Sequence, residues 1–215
     1  MAQQTDDRPA ASGPLELLVT VLLVVAAVAT SWSSYQATRW HGEQAQATSR
    51  TNSIRVEAAR ASSLAEAQTE IDVATFIAWV DADQTGNEPL ANFYVDRFRP
   101  EFGAAFEAWL RTEPLTNPDA PKTPFATPEY QLASQLEADQ LDKAEEASAA
   151  EVREDIQIAS NYVLTVVLYA VVLFFAGIST KMTSRRLRTV MLAAGFVVLV
   201  AAIAWVSTLP ISFRI

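Results

Sequence analysis

The chain of 215 residues contains no cysteine, and its only histidine is His41. Without cysteine it has no disulfide, no thiol nucleophile and no cysteine-based zinc site. A single histidine excludes a His-rich metal site, and it excludes two histidines sharing catalytic work within one protomer. Charged residues are also scarce, at 19% against 50% hydrophobic residues. We therefore predict a protein that is not an enzyme and carries no cofactor.

The hydrophobic residues are concentrated in three long runs, and none of the runs has a charged residue at its centre. Each run supplies most or all of the ~20 residues that a helix needs to cross a bilayer. We predict transmembrane helices at 15–35, 160–180 and 189–209. Aromatic side chains near the ends of these segments are predicted to lie at the membrane interface: Trp32, Tyr35, Tyr162 and Trp205.

A short basic turn, 181–188, separates the second and third runs. It carries four cations and no acid: Lys181, Arg185, Arg186 and Arg188. Such turns stay on the cytoplasmic side of a membrane. This predicts a multi-pass protein with a cytoplasmic tail at 1–14, an extracytoplasmic part at 36–159 and an extracytoplasmic tail at 210–215.

The first run has a second interpretation as a cleaved signal peptide, because Ala27-Val-Ala29 resembles a cleavage site. A signal peptide begins with a basic region, whereas residues 1–16 hold three acids and only Arg8. Small residues at every fourth position, including Ala26 and Thr30, also favour a retained helix that packs closely. We expect the segment to be retained.

Residues 33–158 carry 10 basic and 22 acidic side chains, a net charge of −12. This surface repels phosphate backbones, so we predict no binding to nucleic acid. Membrane lipid is an expected partner through the spans. A membrane or envelope protein, or another copy of the chain, is the other expected partner.

Two segments of high helix propensity flank the middle of the chain and are predicted to extend the first two membrane helices outward. We predict an ascending helix at 36–82 and a descending helix at 128–159. The apolar stripe predicted on the ascending helix comprises Ile54, Ala58, Ala61, Leu64 or Ala65, Gln68, Ile71, Ala74 or Thr75, and Ala78. The stripe predicted on the descending helix comprises Leu132, Leu136, Leu141, Ala144, Ala147, Val152 and Ile156. Together they predict an all-α fold with an antiparallel, coiled-coil-like stalk.

Between the two helices, residues 83–127 are rich in aromatic side chains and proline. Short helices are predicted at 90–98 and 101–111, with Pro100 able to begin the second. Five prolines between 113 and 128 then predict an extended strap. We predict that residues 83–127 form a small helical cap.

The sequence contains the stretches ATSWSSYQATRW at 29–40, FYVDRFRPEF at 93–102, NYVLT at 161–165 and FFAGIST at 174–180. These stretches resemble a family of bacterial three-span integral membrane proteins that has no assigned activity. The resemblance spans most of the chain. It implies a location in the bacterial inner membrane and the three-span layout, and it assigns no functional residue.

The segment after residue 80 repeats the opening of a calcium-binding EF-hand loop, with oxygen ligands at alternate positions. The candidate ligands are Asp81, Asp83, Thr85 and Asn87. Asn92 replaces the acid that closes such a loop. The favoured interpretation is a helix-ending turn, with Gly86 reversing the chain and Pro89 starting the next helix.

Arg97 and Arg99 lie among aromatic residues and are candidates for binding an anionic partner. Pairing within the chain, with Asp96, Glu101 or Glu107, is the simpler interpretation. We predict that the protein is an interaction, accessory or scaffold subunit. The alternative is a homo-oligomeric channel or transport accessory, and an envelope hydrolase is a remote third.

Overall fold

The structure is a computed structural model, and it describes residues 14–213. Within that range the fold is all-α, as the sequence predicts. Five α-helices follow one another: α1 (Pro14–Gln84), α2 (Glu88–Val95), α3 (Pro100–Leu110), α4 (Ala133–Ser179) and α5 (Arg185–Val206). A single 3-10 turn, Pro124–Ala126, interrupts the segment between α3 and α4. The predicted tail at 1–14, apart from its last residue, and the final two residues of the predicted tail at 210–215 lie outside the described residues.

The chain divides into two compact units. Residues 14–48 and 150–213 belong to the first, here called the span unit. Residues 49–149 form the second, here called the aromatic unit. Helices α1 and α4 contribute to both units and pack against each other antiparallel.

Three helices, α1, α4 and α5, contain stretches that are long and apolar enough to cross a membrane. Only 17% of the most apolar stretch of α1 is buried within the protein. An apolar helix surface with so little protein cover is typical of contact with lipid. The three apolar helices therefore indicate a membrane protein.

All three helices meet in the core of the span unit, which is built from small and aliphatic side chains around Tyr169. Its buried members are Leu22, Ala26, Tyr169, Val172, Ala176, Leu199 and Ala202. Gly195 of α5 lets the helices approach closely. A Cβ atom at Gly195 would lie 3.3 Å from the Cβ of Phe175 and 3.5 Å from Leu22 Cδ2. Small residues at helix contacts are the usual means of packing helices in membranes.

The segment that follows α5 folds back onto α1 and α4. The carbonyl of Pro210 accepts hydrogen bonds from Trp40 Nε1 (3.2 Å) and from the Tyr162 hydroxyl (3.0 Å). The backbone N–H of Ser212 donates to the side-chain oxygen of Gln36 (3.1 Å). These bonds give buried polar groups their partners and tie the end of the described chain to both long helices.

In the aromatic unit, proline sets where the short helices begin. Pro100 is the first residue of α3, as predicted, because its missing N–H is not needed in the first turn. The expected start of α4 at Pro128 is wrong, since α4 begins at Ala133. The Tyr130 ring packs on Phe102 and Phe125, and its hydroxyl bonds to α1. These tertiary contacts hold residues 128–132 out of the helix.

The predicted stripe on α1 is partly confirmed. Of the two alternatives Leu64 and Ala65, Ala65 is buried and Leu64 is exposed, and the predicted Ile71 is exposed while its neighbour Asp72 is buried. One row of the less exposed residues, here called the seam, steps by three and four along the helix: Thr51, Ile54, Ala58, Ala61, Ala65, Gln68, Asp72, Thr75, Trp79 and Ala82. This is a heptad pattern, the spacing of coiled-coil packing. It is built mainly from small and polar residues.

The facing part of α4 shows the same spacing and a similar correction. Leu136 and Ile156 of the predicted stripe are exposed. One row of the less exposed α4 residues within the aromatic unit comprises Ser134, Ala138, Leu141, Glu145 and Ser148. Polar pairs join the two helices: Thr51 with Ser148 at 2.8 Å, and Ser134 with Gln68 at 2.7 Å. Small side chains bring the helices together, and hydrogen bonds fix their register.

Candidate functional site

The core of the aromatic unit is a cluster of rings in which Phe102, Phe106 and Trp109 of α3 are buried. Phe76 and Trp79 of α1 pack against them. The rings meet mainly edge to face, for example Trp79 on Phe106 with centroids 4.7 Å apart. This geometry is favourable because the positive edge of one ring meets the negative face of another. The cluster makes a closely packed platform.

A groove of about 400 Å³ opens along one side of this platform. One wall is the last two turns of α1, from Phe76 to Gln84, and the other is the segment from Trp109 to Thr116. Trp79, Val80 and Leu110 supply apolar surface, and Asp83, Glu113 and Lys122 supply charge. Leu115 is 86% exposed. An isolated leucine at that exposure is ordinary, but one beside a concave aromatic groove is typical of a binding surface.

The loop that forms the second wall is held in shape by its own hydrogen bonds. Glu113 adopts a positive φ of 54°, a conformation that costs a residue other than glycine about 1 kcal/mol or more. Its carbonyl accepts from the N–H groups of Thr116 (3.0 Å) and Asn117 (2.9 Å). The Asn117 side chain donates to the carbonyl of Thr112 (3.1 Å). These bonds fix the turn that presents Leu115.

The strap that follows this loop is hydrogen-bonded to the ring cluster. Trp109 Nε1 donates a hydrogen bond of 2.7 Å to the carbonyl of Pro121. Lys122, the next residue, lines the groove. One buried indole therefore contributes to the floor of the groove and holds the backbone next to Lys122.

A buried carboxylate lies elsewhere in the same unit. Asp72 of α1 is 1% exposed. Its Oδ2 atom pairs with Arg99 (2.9 Å) and accepts from the Tyr130 hydroxyl (3.1 Å). Arg99 also pairs with Glu101 (3.1 Å). Burial raises the pKa of Asp72, while the hydrogen bond from Tyr130 and the charge of Arg99 oppose that rise.

The Asp72 cluster connects three parts of the chain, since Arg99 precedes α3 and Tyr130 precedes α4. A buried carboxylate with a charged and a hydrogen-bonding partner is costly to break and holds one arrangement in place. We assign it a positioning role, because it fixes the elements that carry the ring cluster.

The four calcium candidates fall on a helix-to-helix turn. Asp81 and Asp83 belong to the last turn of α1, and Thr85 Oγ1 donates back to the carbonyl of Asp81 at 2.8 Å. Gly86 has a φ of 68°, as a reversal requires. Asn87 caps α2, with its side chain accepting from the N–H of Leu90. The structure thus uses Thr85 and Asn87 in the turn and places Asp83 on the groove wall.

The two arginine candidates are engaged differently. Arg97 lies over the Phe93 ring at 3.5 Å and donates to the carbonyl of Phe93 at 3.0 Å. Arg99 forms the predicted pair with Glu101 and a further one with Asp72. The simpler interpretation, pairing within the chain, therefore describes Arg99.

The aromatic residues expected at the membrane interface divide into two groups. Trp32, Tyr35 and Trp205 are between 37% and 54% exposed. Tyr162 is fully buried and bonds to Pro210. The basic residues of the 181–188 turn lie between α4 and α5 or in the first turn of α5.

Sequence reasoning missed the groove, Asp72 and Tyr130. Asp72 stands seven residues beyond Ala65 and fourteen beyond Ala58. A search for heptad spacing that counts alanine, serine and threonine as core residues would place Asp72 in the seam. The groove has no comparable signal, because its two walls come from separate segments.

No protein-family model, curated protein or solved structure matches this chain. The relationship to a family of bacterial three-span proteins therefore stays a prediction from the sequence.

Proposed function

We propose that this chain is a non-enzymatic multi-pass membrane protein that acts as an interaction or accessory subunit, and that its partner binds in the groove of the aromatic unit. The observation that carries the proposal is the groove itself. It combines a closely packed aromatic floor at Trp109, 7% exposed, with a fixed loop that presents Leu115. Aromatic pockets with a charged rim are typical of protein-binding surfaces.

The charge of the unit defines the chemistry of the partner. Residues 49–149 carry 8 basic and 18 acidic side chains, a net charge of −10. Asp83 and Glu113 line the groove itself. A segment with an apolar anchor flanked by Lys or Arg complements this surface, whereas nucleic acid is repelled. The partner is a membrane or envelope protein with such a segment.

We place residues 36–159 outside the cytoplasm of a bacterium and the 181–188 turn inside. The support is the four cations of the turn, which resist translocation. In this arrangement α1 and α4 continue from the membrane as an antiparallel stalk, and α2, α3 and the strap form its cap. Because the chain has no cysteine, single cysteines at Ser184 and Leu115 test the orientation directly. A membrane-impermeant thiol reagent should label only the second in intact cells, and labelling of only the first reverses the topology.

Site-specific photocross-linking tests the groove. A photoreactive residue at Leu115 should give one adduct with a different protein in native membranes. Ile77 is the matched control, since it is an aliphatic residue of the same unit that is 62% exposed and lies outside the groove. The tandem mass spectrum of the adduct should show a segment with an apolar residue next to Lys or Arg. Equal cross-linking from both positions contradicts a specific groove.

The homo-oligomeric channel has weaker support. A pore needs polar groups that face water, whereas two buried hydroxyls of the described spans donate to their own helix. Thr165 donates to the carbonyl of Tyr162 and Ser179 to that of Ala176, and both residues are buried. The envelope hydrolase is weaker still, because the buried carboxylate Asp72 is committed to Arg99 and Tyr130.

A further inference from the structure

A second groove, of about 410 Å³, lies in the span unit, and its lining is almost wholly apolar. Val25, Val28 and Trp32 of α1 form one side, Ile203 and Val206 of α5 the other, and Tyr169 of α4 the floor. Val28 is 64% exposed and Trp32 is 39% exposed. An apolar groove of this kind on membrane helices suits the chemistry of an acyl chain.

The α1 side of this groove continues along the helix to a cation. Val25, Val28, Trp32, Tyr35 and Arg39 step by three, four, three and four residues, so they share one face of α1. Arg39 lies about 10 Å beyond Trp32 at 1.5 Å per residue. Helical side chains lean towards the helix N-terminus, so the Arg39 side chain leans back towards Tyr35.

Arg39 is only half-buried, and no acceptor within residues 14–213 satisfies its buried Nε atom. The face therefore runs from apolar, through the Trp32 and Tyr35 rings with centroids 6.1 Å apart, to positive. That order is the order of an anionic phospholipid: acyl chain, glycerol region and phosphate. Aromatic rings prefer the glycerol level, and arginine binds phosphate in bidentate fashion.

We propose that this groove and Arg39 form a binding site for one anionic phospholipid, with an acyl chain between α1 and α5 and its phosphate at Arg39. The site depends on the membrane placement of the spans and not on the groove of the aromatic unit. A second copy of the protein is a poorer occupant of this groove. If two copies packed through this face of α1, their Arg39 side chains would come together and repel each other.

The test uses the full chain in nanodiscs made of equal parts phosphatidylglycerol and phosphatidylcholine. Native mass spectrometry after release from the disc counts the lipids that stay bound. The wild-type chain should retain phosphatidylglycerol about fivefold over phosphatidylcholine, the preference that one arginine near an anionic headgroup gives. Arg39→Gln should remove this preference. Arg153→Gln is the control, since it makes the same change of charge at an exposed residue outside the groove.

Binding of the acyl chain is tested by filling the groove with a larger side chain. Val28→Trp should expel the retained lipid of either headgroup, whereas Val197→Trp, at a residue 66% exposed on α5 and outside the groove, should not. Equal retention of the two lipids, equal effects of the two charge changes, or lipid retention unaffected by Val28→Trp overturns the proposal. A protomer-to-protomer cross-link through position 28 overturns it as well.

Discussion

At the scale of single residues, the Asp72 cluster shows how a few polar side chains position an apolar platform. Asp72 is buried, and Arg99 and Tyr130, which approach the same oxygen, offset part of the cost of burying its ionised form. The two partners come from 27 and 58 residues away along the chain. No local pattern in the sequence predicts that Arg99 and Tyr130 meet at Asp72.

Removing Arg99 should destabilise the aromatic unit far more than removing Arg97. Arg99→Met leaves the Asp72 carboxylate buried without its charged partner, at a cost of about 3 kcal/mol. Arg97→Met loses an exposed contact with the Phe93 ring, at a cost of about 0.5 kcal/mol. Thermal unfolding in detergent, followed by tryptophan fluorescence, measures both. Equal losses of stability would show that the pair with Asp72 is not the more important contact.

The raised pKa of Asp72 predicts a pH dependence with a definite sign. The folded state holds the Asp72 proton more tightly than the unfolded state does. The stability that this proton contributes is therefore complete below the ordinary aspartate pKa of 3.8 and is lost as the pH rises through the raised pKa of Asp72. The difference in melting temperature between wild type and Asp72→Asn should shift in favour of wild type as the pH falls from 7 to 4. A shift in the opposite direction would mean that the pKa of Asp72 is lowered by folding.

At the scale of helices, the positions set by proline and glycine could be predicted from the sequence, whereas the seam of α1 could be predicted only in part. Pro100 and Gly86 act through their own backbone geometry, so the start of α3 and the end of α1 were predictable. The seam depends on close approach, which favours Ala65 over its larger neighbour Leu64. Hydrophobicity alone left Leu64 and Ala65 as alternatives and favoured Ile71 over Asp72, although Leu64 and Ile71 are exposed and Ala65 and Asp72 are buried.

Enlarging a seam residue should therefore cost more than truncating an exposed leucine. Ala65→Leu places three more carbon atoms at a position that is 2% exposed and should cost about 1–3 kcal/mol. Leu64→Ala changes an exposed side chain and should stay within about 0.5 kcal/mol. Chemical denaturation in detergent, followed by tryptophan fluorescence, gives both values. The heptad seam is wrong if Leu64→Ala is the more damaging change.

A similar prediction concerns the packing of the three apolar helices. Gly195→Leu pushes a side chain against Phe175 and Leu22 and should destabilise the span unit by about 1–3 kcal/mol. Gly177→Leu is the matched control on α4, since a Cβ there meets no heavy atom within 4 Å. The melting temperature of each variant in the same detergent makes the comparison. If both variants have the same melting temperature, α5 does not approach α1 and α4 as closely as it does in the structure.

At the scale of the whole molecule, charge and apolar surface are separated along the chain. The apolar residues are concentrated in three helices, the 181–188 turn carries four cations and no acid, and 18 of the 25 acids lie in the aromatic unit. This distribution could be read from the sequence, because it depends on composition alone. The two grooves could not be read, since each is built from segments that meet only in the fold.

The most direct test of an interaction subunit is the native mass and composition of the complex extracted in polymer nanodiscs. The wild-type chain should carry a second protein in fixed stoichiometry. Leu115→Glu, which adds a like charge to an acidic groove, should lose that protein, and Ile77→Glu should keep it. Copies of this chain alone, in the wild type and in both variants, would contradict the proposal.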